Sequence, residues 1–459
     1  MTHIKITKGL DIPMKGRPAS SLENSTPVQL KTPSQIALNL TAFEDIKFRL
    51  LVNVGDYVKI GQPLAEDKST VGRVFVSPAS GVVKEVRRGL KRVLNFIVID
   101  VAEREETVEF TPFNLQNASR ESIIERLLAG GVFASIRSRP FNLLADPYKI
   151  PRSIFVKALE SAPCVPPAEM QVAGFEKEFQ VGLEALSRLT EGKVHLVYRQ
   201  GTPCKAFTEA RSVEKHTAEG PHPVANSSLH IQHIDPIYSA EDIVWTLTAL
   251  DVVSIGFLLL RGHYFTERVI SIAGPGVLPD RIGYFKGRQG HSVEALIAGR
   301  VPHGLFRFVS GDPLMGKKVE GNDFLGLCDT TFCVIPENVE RAFLHFFGLG
   351  LNKYSFSHAY LSGHLDNTKR EYDFTTSTHG EHRAFIDSTL YDKVMPLPVP
   401  TMLLVKAIMA EDFELAETLG LLQVDDEDFA LPTFVCPSKM EMTEIVKTGL
   451  QQYSKEVLA

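Results

Sequence analysis

Four histidines fall within one short stretch near the middle of the sequence, and histidine is the commonest side-chain ligand of transition metals in proteins. They are His216, His222, His230 and His233. If Leu229 to Ile234 is a strand, His230 and His233 project from opposite faces. Neither a cysteine nor a paired carboxylate stands nearby to complete a tetrahedral ligand set. The pattern favours structural or hydrogen-bonding histidines, and we predict no metal site.

One of these rings, His222, stands in the loop Gly220-Pro221-His222-Pro223. The two prolines restrict the backbone on both sides of a single titratable ring. A rigid loop of this kind can line a ligand pocket. His222 is therefore a candidate for contact with a ligand.

A lysine between two pairs of predicted strands could carry a covalently attached group. The tract from Phe48 to Val86 resembles the biotinyl/lipoyl-domain family, in which a lysine at a hairpin tip is modified. The motifs that carry this resemblance are Val54-Gly55-Asp56, Gly61-Gln62-Pro63-Leu64, Asp67-Lys68, and Pro78 with Gly81-Val82-Val83. The stretch from Lys68 to Pro78 is longer than the tight hairpin of a carrier. A scaffold use of the fold with a solvated Lys68 is favoured, and carriage at Lys68 is the alternative.

Three other patterns fall short of a cofactor site. Gly311 to Lys318 has the glycine and lysine spacing of a phosphate-binding loop, but Lys318 stands where Ser or Thr would bind Mg²⁺, so we predict a hairpin turn. Gly274-Pro275-Gly276 lacks the third glycine of a dinucleotide-binding motif. Among the 5 cysteines, only Cys436-Pro437 is similar to part of a ferredoxin run. We therefore expect neither an iron–sulfur cluster nor disulfides.

Two segments near the C-terminus have a biased composition. Asp425 to Asp428 is most simply a solvated acidic turn, because consecutive carboxylates lack the spacing of a cation-binding loop. Phe343 to Phe347 is rich in phenylalanine and could be a partner surface, although such segments more often belong to a core.

Length and composition bound the class of protein. The 459 residues suggest about three domains. A net charge of −6 gives no cationic field that would attract nucleic acid. The apolar run from Val252 to Leu260 is far shorter than the roughly 20 residues that a membrane-spanning helix needs. No signal peptide is visible at the N-terminus, so we expect a soluble protein of the cytoplasm.

The hydrophobic pattern changes along the chain and predicts how the domains are organised. From Ile46 to Val101, short runs of period two alternate with turns, which predicts a β barrel or sandwich. A helix begins after Ser119, and strands and helices then alternate up to about Ser254, as in a parallel or mixed sheet. Strands dominate from Phe257 to Ile335, and helices return after it. Ser438 and Glu441 are expected to form the capping box of the last helix.

The chain also resembles a known family, the A subunit of the sodium-translocating NADH:quinone oxidoreductase, nearly from end to end. The phrases that carry the resemblance are Ile4–Pro13, Arg137–Phe141, Gly220–Pro223, His230–Pro236, Tyr372–Thr378 and Phe434–Pro437. The resemblance implies relatives in the C subunit of the Rnf complex and in the flavoprotein subunit of respiratory complex I.

With the pattern of elements, the resemblance implies a multidomain α+β fold. We expect an N-terminal β segment and a biotinyl/lipoyl-like barrel-sandwich domain in 1–110, and a Rossmann-like α/β domain in 111–255. A β-grasp module similar to the SLBB domain is expected in 256–335, and a mostly helical domain in 336–459.

The resemblance further implies a peripheral subunit, without a transmembrane helix, on the cytoplasmic side of the bacterial inner membrane. The complex would have six subunits, oxidise NADH, reduce ubiquinone and export Na⁺. The partners would be ubiquinone and the other five subunits, chiefly a membrane-embedded subunit that bears flavin.

Relatives bind flavin and NADH through a glycine-rich loop, whose position here is similar to Gly130 to Arg137. Bulky Phe133, Ile136 and Arg137 replace small residues that would let the backbone approach a cofactor. We therefore expect no flavin, no iron–sulfur cluster and no catalytic residue in this chain.

The role we expect instead is to assist ubiquinone binding or assembly of the complex. A quinone needs hydrogen-bond donors for its carbonyl oxygens beside an apolar wall, and His222, His230 and His233 are the candidates. The alternative is a purely structural docking subunit with no ligand.

Overall fold

Short strands dominate the first third of the chain, and helices become longer after residue 119. The computed structural model describes residues 1–19, 26–44, 46–339, 347–365 and 369–458. The strands are β1 His3–Lys5, β2 Val28–Gln29, β3 Gln35–Asn39, β4 Phe48–Leu50, β5 Tyr57–Val58, β6 Pro63–Asp67, β7 Val74–Val76, β8 Gly81–Arg88, β9 Leu94–Val101, β10 Arg137–Arg139, β11 Leu143–Leu144, β12 Ser153–Ala158, β13 Lys193–Arg199, β14 Glu214–Glu219, β15 Val244–Thr248, β16 Glu267–Ala273, β17 Gly283–Arg288, β18 Phe306–Ser310, β19 Lys317–Val319 and β20 Thr331–Pro336. The α-helices are α1 Arg120–Ala129, α2 Ala168–Val172, α3 Glu176–Leu186, α4 Lys205–Thr208, α5 Ser227–Ile234, α6 Ala249–Arg261, α7 Val293–Ile297, α8 Thr389–Asp392, α9 Thr401–Met409, α10 Phe413–Thr418, α11 Ala430–Val435 and α12 Met442–Val457.

Two antiparallel sheets, β3-β9-β8-β5 and β4-β6-β7, form a barrel-sandwich in the N-terminal part of the chain. The apolar alternation of residues 95–101 predicts a strand that is buried on both sides, and β9, which has 8 residues like β8, is buried on both faces. Ile97 and Ile99 point into the core between the sheets. Phe96 and Val98 lie on the opposite face and pack against Phe324, which lies between β19 and β20. The barrel is thereby packed against the rest of the molecule rather than standing apart from it.

A seven-stranded sheet of order β1-β14-β13-β12-β15-β10-β11 forms the centre of the α/β region. Strands β1, β14, β13, β12 and β15 are parallel. The chain steps outward from β12 to β13 and β14, and then crosses to β15 on the other side of β12. Such a reversal of strand order opens a crevice at the carboxyl ends of the two central strands.

Helix α1 begins where the sequence predicts. The Ser119 hydroxyl accepts the backbone N–H of Ser122 at 3.2 Å, which satisfies one of the free donors at the helix start. The helix ends at Gly130, and its buried face packs Ile123 and Leu127 into the core of the α/β region. The predicted start of the helix after Ser119 is confirmed.

A six-stranded mixed sheet of order β19-β18-β20-β16-β17-β2 follows in the chain. Strands β18 and β19 are antiparallel, with Val309 opposite Lys318. The segment with phosphate-loop spacing connects them, and the N–H of Gly316 donates to the carbonyl of Asp312 at 2.7 Å. The predicted hairpin turn is confirmed.

The first thirty residues contribute strands to two different sheets. Strand β1 extends the seven-stranded sheet by pairing with β14, and β2 extends the six-stranded sheet by pairing with β17. Neither pairing follows from the local sequence, because a partner 200 or more residues away decides it. The domain boundaries near residues 110, 255 and 335 stay a prediction.

The C-terminal part is mostly helical, as expected, but the predicted capping box of α12 is wrong. The hydroxyl of Ser438 donates instead to the carbonyl of Ala384 at 3.1 Å. Helix α12 starts at Met442, and the side chain of its N-cap residue Glu441 makes no capping bond. The hydroxyl oxygen of Thr433 accepts the backbone N–H groups of Met442 and Thr443 instead, at 3.1 and 3.3 Å. Of the phenylalanine-rich segment, 343–346 lie outside the described residues, and Phe347 is exposed.

Candidate functional site

A cavity of about 570 Å³ lies at the carboxyl edge of the seven-stranded sheet, where the strand order reverses. The residues after β12 and β15 form one side of it, and loops from other parts of the chain close it. Segments in its wall include 160–162 after β12, 225–227 at the start of α5, 246–251 between β15 and α6, 311–312 in the β18–β19 turn, and 425–427.

The wall is partly apolar and partly polar. Phe43 from the barrel-sandwich, Phe141, Leu143 and Met315 contribute apolar surface. Polar groups come mainly from the strand ends and from the C-terminal part of the chain. Ligand pockets of proteins combine an apolar lining with a few placed polar groups in this way.

The loop that contains His222 is fixed by the N-terminal segment. The carboxylate of Asp11 accepts the backbone N–H of His222 at 2.9 Å, and the N–H of Leu10 donates to the His222 carbonyl at 2.8 Å. The ring of His222 is 5% exposed and belongs to the cavity wall. Its position is therefore set by backbone contacts rather than by the ring itself.

One nitrogen of the His222 ring has a partner and the other has none. The hydroxyl oxygen of Ser161 accepts the backbone N–H of Ala225 at 3.1 Å and lies 3.0 Å from Nδ1 of His222. Ser161 can donate to Nδ1 or accept from it, so this contact is compatible with both ring tautomers. Nε2 is buried and has no hydrogen-bond partner within the described part of the chain. Burial lowers the pKa of His222 to about 4, so the ring is neutral at pH 7.

His230 and His233 occupy different surroundings from His222. The segment 229–234 belongs to helix α5 and is not a strand, so the expectation of opposite strand faces does not hold. His230 is buried and donates from Nε2 to the carbonyl of Val224 at 2.9 Å, which supports the His222 loop from behind. His233 is exposed, and its Nδ1 lies 2.8 Å from the carbonyl of Leu229. Neither ring is part of the cavity wall, and the predicted quinone contacts of these residues stay a prediction.

The predicted solvated acidic turn is wrong. Asp425 and Asp428 are buried, and the side-chain amide of Asn226 donates to Asp428 at 2.8 Å. Asp426 and Glu427 lie in the cavity wall. Burial raises the pKa of Asp426 to about 8 and that of Glu427 to about 7. Asp426 and Glu427 are therefore partly protonated near neutral pH, whereas carboxyls in open solvent would be ionised.

Two further charged groups in the cavity wall were not singled out from the sequence. Asp312 accepts the backbone N–H groups of Leu314 and Met315, and burial raises its pKa to about 6. Lys157 donates to Glu160 at 3.2 Å. Burial alone would lower the pKa of Lys157, but Glu160 and Glu427 outweigh it and raise the pKa. The available signal was their position at strand ends, since Lys157 precedes the last residue of β12 and Asp312 follows β18.

Comparison with known proteins identifies the family. Residues 4–102 match the family model "NqrA N-terminal barrel-sandwich hybrid domain", and residues 118–264 match "NqrA second alpha/beta domain". The chain is 36% identical over 463 residues to the A subunit of the Na(+)-translocating NADH-quinone reductase of Chlamydia caviae, covering 99% of this chain and 97% of the relative. It is 37% identical over 456 residues to the protein of the same name from Hahella chejuensis, covering 99% and 100%. The chain belongs to this family of reductase subunits.

Membership makes the chain one component of a sodium-translocating NADH-quinone reductase, and it confirms the N-terminal barrel-sandwich and the second α/β domain. Among solved structures, an air-oxidised NAD+-reducing [NiFe]-hydrogenase is similar at 12% identity, with 51% of this chain and 52% of that chain covered. Its TM-score of 0.32 is too low to support an argument about function. Searched over the described ranges, the helices include none with the length and apolar character to cross a bilayer.

The family's barrel-sandwich holds Lys68 at an exposed position between β6 and β7. The neighbouring Asp67 forms a buried ion pair with Arg73 at 2.9 Å. Arg73 also donates to the carbonyl of Ala145 in the α/β region. The hairpin is thus attached to the neighbouring domain, which favours scaffold use over a mobile carrier arm, and modification of Lys68 stays a prediction.

The bulky residues of the loop at 130–137 fill the core of the α/β region. Phe133 and Ile136 are fully buried, and the ring of Phe133 packs edge-on against Trp245 with centroids 5.7 Å apart. Arg137 lies in the cavity wall with its guanidinium 5.4 Å from the ring centre of Phe43. The absence of a cofactor site at this loop stays a prediction.

Proposed function

We propose that this chain is a peripheral subunit on the cytoplasmic side of the reductase, that it carries neither flavin nor an iron–sulfur cluster, and that it assists ubiquinone binding. The observation that carries the proposal is the unpaired Nε2 of His222 in the cavity wall, which donates to a carbonyl oxygen in the tautomer that places the ring proton there. Leaving a buried donor unpaired costs about 1–3 kcal/mol, which a ligand with a carbonyl oxygen would recover.

The cavity suits a quinone head group in size and in lining. Its volume of about 570 Å³ falls within the range of small-molecule pockets, roughly 300–1,000 Å³. A quinone ring is flat and apolar except for its carbonyl oxygens, and the wall offers both apolar surface and a neutral donor. The hydroxyl of Thr331 is a second buried group in the wall without a partner among the described residues.

The finer fold assignments belong to the same proposal. The order β14-β13-β12-β15 supports a Rossmann-like domain, since the strands that follow β12 in the chain are placed first on one side of it and then on the other. We assign the six-stranded sheet to a β-grasp module similar to the SLBB domain. Phe133 and Ile136, buried in the core, support the loss of the cofactor loop of the wider group. The partners in this proposal are the other five subunits, chiefly a membrane-embedded subunit that bears flavin.

Binding of ubiquinone-1, a soluble quinone with a short tail, to the purified full-length chain tests the proposal. Equilibrium dialysis should detect binding, and His222→Ala should raise Kd about tenfold, because it removes one hydrogen bond of about 1.4 kcal/mol. Ser161→Ala should weaken binding less, since it frees the ring without removing it. His303→Ala, at an exposed histidine elsewhere, is the matched control.

Two outcomes would contradict the proposal. If the chain binds no quinone, the structural docking role remains, and quinone reduction by a complex reconstituted without this chain would measure that role. If binding is intact in His222→Ala, the quinone lies elsewhere. Intact mass after expression in a host with lipoyl and biotin ligases separately tests the carrier alternative at Lys68.

A further inference from the structure

Two buried histidines face each other on neighbouring strands, toward the amino ends of the parallel sheet and away from the cavity. Nδ1 of His195 on β13 lies 3.0 Å from Nε2 of His216 on β14. The rings are 5% and 2% exposed. An oxygen of Glu214 lies 3.9 Å from Nδ1 of His195. The three ligand atoms all lie within 4.8 Å of one another.

The strand register explains why these side chains converge. His195 pairs directly with Glu214 across the parallel strands, and His216 follows Glu214 by two residues. Residues two apart on a strand share a face of the sheet. All three side chains therefore lie on one face, on adjacent strands.

We propose that His195, His216 and Glu214 form a binding site for a divalent transition metal, and we assign Zn²⁺ as its ion. Two imidazoles and a carboxylate are a common ligand set for Zn²⁺, and they leave a fourth position for water. Zinc bonds of 2.0–2.1 Å in a tetrahedron place ligand atoms about 3.3 Å apart. The separations of 3.0 and 3.9 Å from Nδ1 of His195 lie on either side of that spacing, and all three ligand atoms lie within 4.8 Å of one another.

Two existing contacts would compete with the metal. The backbone N–H of Thr2 donates to Nδ1 of His216 at 3.1 Å, so the ring proton sits on Nε2 and is shared with His195. On binding, this proton would move to Nδ1, and the contact with the backbone N–H of Thr2 would be lost. Lys193 pairs with Glu214 and would have to release it in part.

The test uses Zn²⁺ alone on the purified full-length chain, with competition against a chromophoric chelator. We expect one equivalent per chain, and we expect Co²⁺ in its place to give the visible bands of a tetrahedral site. His195→Gln, His216→Gln and Glu214→Gln should each weaken binding by about 10–100-fold. Lys193→Ala should tighten it, because it frees Glu214 for the metal. His303→Gln, at an exposed histidine elsewhere, should change nothing.

Glu214 and Lys193 have exposed side chains, so their variants keep the test decisive if a histidine variant misfolds. Substoichiometric Zn²⁺ would overturn the proposal. So would an affinity that is unchanged in Glu214→Gln and Lys193→Ala, since the metal would then be bound by other groups.

Discussion

Replacing Arg139 with methionine should lower the free energy of unfolding of the α/β region by about 3–5 kcal/mol. Arg139 is among the largest fully buried side chains, and its guanidinium contacts helix α5 and the segment 424–425. It donates to the hydroxyl of Ser228 on α5 at 2.8 Å and to the carbonyl of Val424 at 2.6 Å. It also lies 3.7 Å from the carboxylate of Asp425.

The size of the effect follows from the groups that the substitution leaves behind. Methionine fills a similar volume but donates no hydrogen bond, so the Val424 carbonyl and the Asp425 carboxylate lose a partner while still buried. Removal of one member of a buried ion pair costs more than the pair contributes, because the remaining charge is not solvated. The free energy of unfolding of Arg139→Lys should lie between those of the wild type and Arg139→Met. An ammonium keeps the charge but cannot reach all three acceptors.

Urea unfolding followed by tryptophan fluorescence measures this effect, because the chain has 1 tryptophan and it is buried in β15. The reporter, Trp245, therefore follows the sheet that contains Arg139. The control is Arg188→Met, an exposed arginine that donates to the carbonyl of Gln116 at 3.1 Å. It should change stability by less than about 0.5 kcal/mol. An equal loss in both variants would show that burial of Arg139 is not the cause.

Arg139 also shows what the sequence could not supply. The segment 137–141 contributes to the family resemblance. Its local pattern, however, gives no sign that Arg139 contacts Asp425, 286 positions away. The prediction of a solvated acidic turn at 425–428 is wrong for the same reason, because its partners are distant in sequence. Four consecutive acidic residues indicate solvation by every local criterion, whereas Arg139, Asn226 and Lys157 accompany them in the folded chain.

Local patterns succeeded where local forces decide the structure. Alternation of period two predicted β9 and its two buried faces, and Ser119 capped α1 as predicted. The segment 229–234 was ambiguous, because Leu229, Ile231 and Ile234 satisfy both a strand and a short helix. In the structure the segment belongs to helix α5, which packs beside β12.

Residues brought together by strand register were harder to find than residues close in sequence. His195 was not considered with the other histidines, because it lies 21 residues before His216. Only the pairing of β13 with β14 in one register brings their rings together. At the cavity, the sequence did identify His222, because two prolines marked its loop, but not Ser161, whose hydroxyl contacts Nδ1 of the ring.

Replacing His230 with glutamine should make the protein markedly less sensitive to acid. Burial lowers the pKa of His230 to about 3, whereas an unfolded histidine takes up a proton near 6.5. The unfolded state therefore binds the proton first as the pH falls. The stability that neutral His230 contributes is complete above about pH 6.5 and is lost progressively as the pH falls toward 3, at about 1.4 kcal/mol per unit.

The comparison between wild type and variant isolates this residue from the carboxyls of the cavity. Asp312 and Glu427 have raised pKa values, so they bind protons more readily in the folded state and oppose the histidine between pH 4 and 7. Those groups are common to both proteins. The difference in unfolding free energy should therefore reflect His230 alone, and it should change by about 2 kcal/mol between pH 6.5 and 5.

Urea titrations followed by Trp245 fluorescence at half-unit intervals from pH 7.5 to 5 give this difference directly. Glutamine is chosen because its amide can still donate to the Val224 carbonyl, the partner of His230 at 2.9 Å. His303→Gln serves as the exposed control, and its unfolding free energy should depend on pH as that of the wild type does. Parallel curves for wild type and His230→Gln would mean that the buried ring takes up its proton without unfolding. In that case the His222 loop, which the ring supports through Val224, would have to rearrange in the folded state instead.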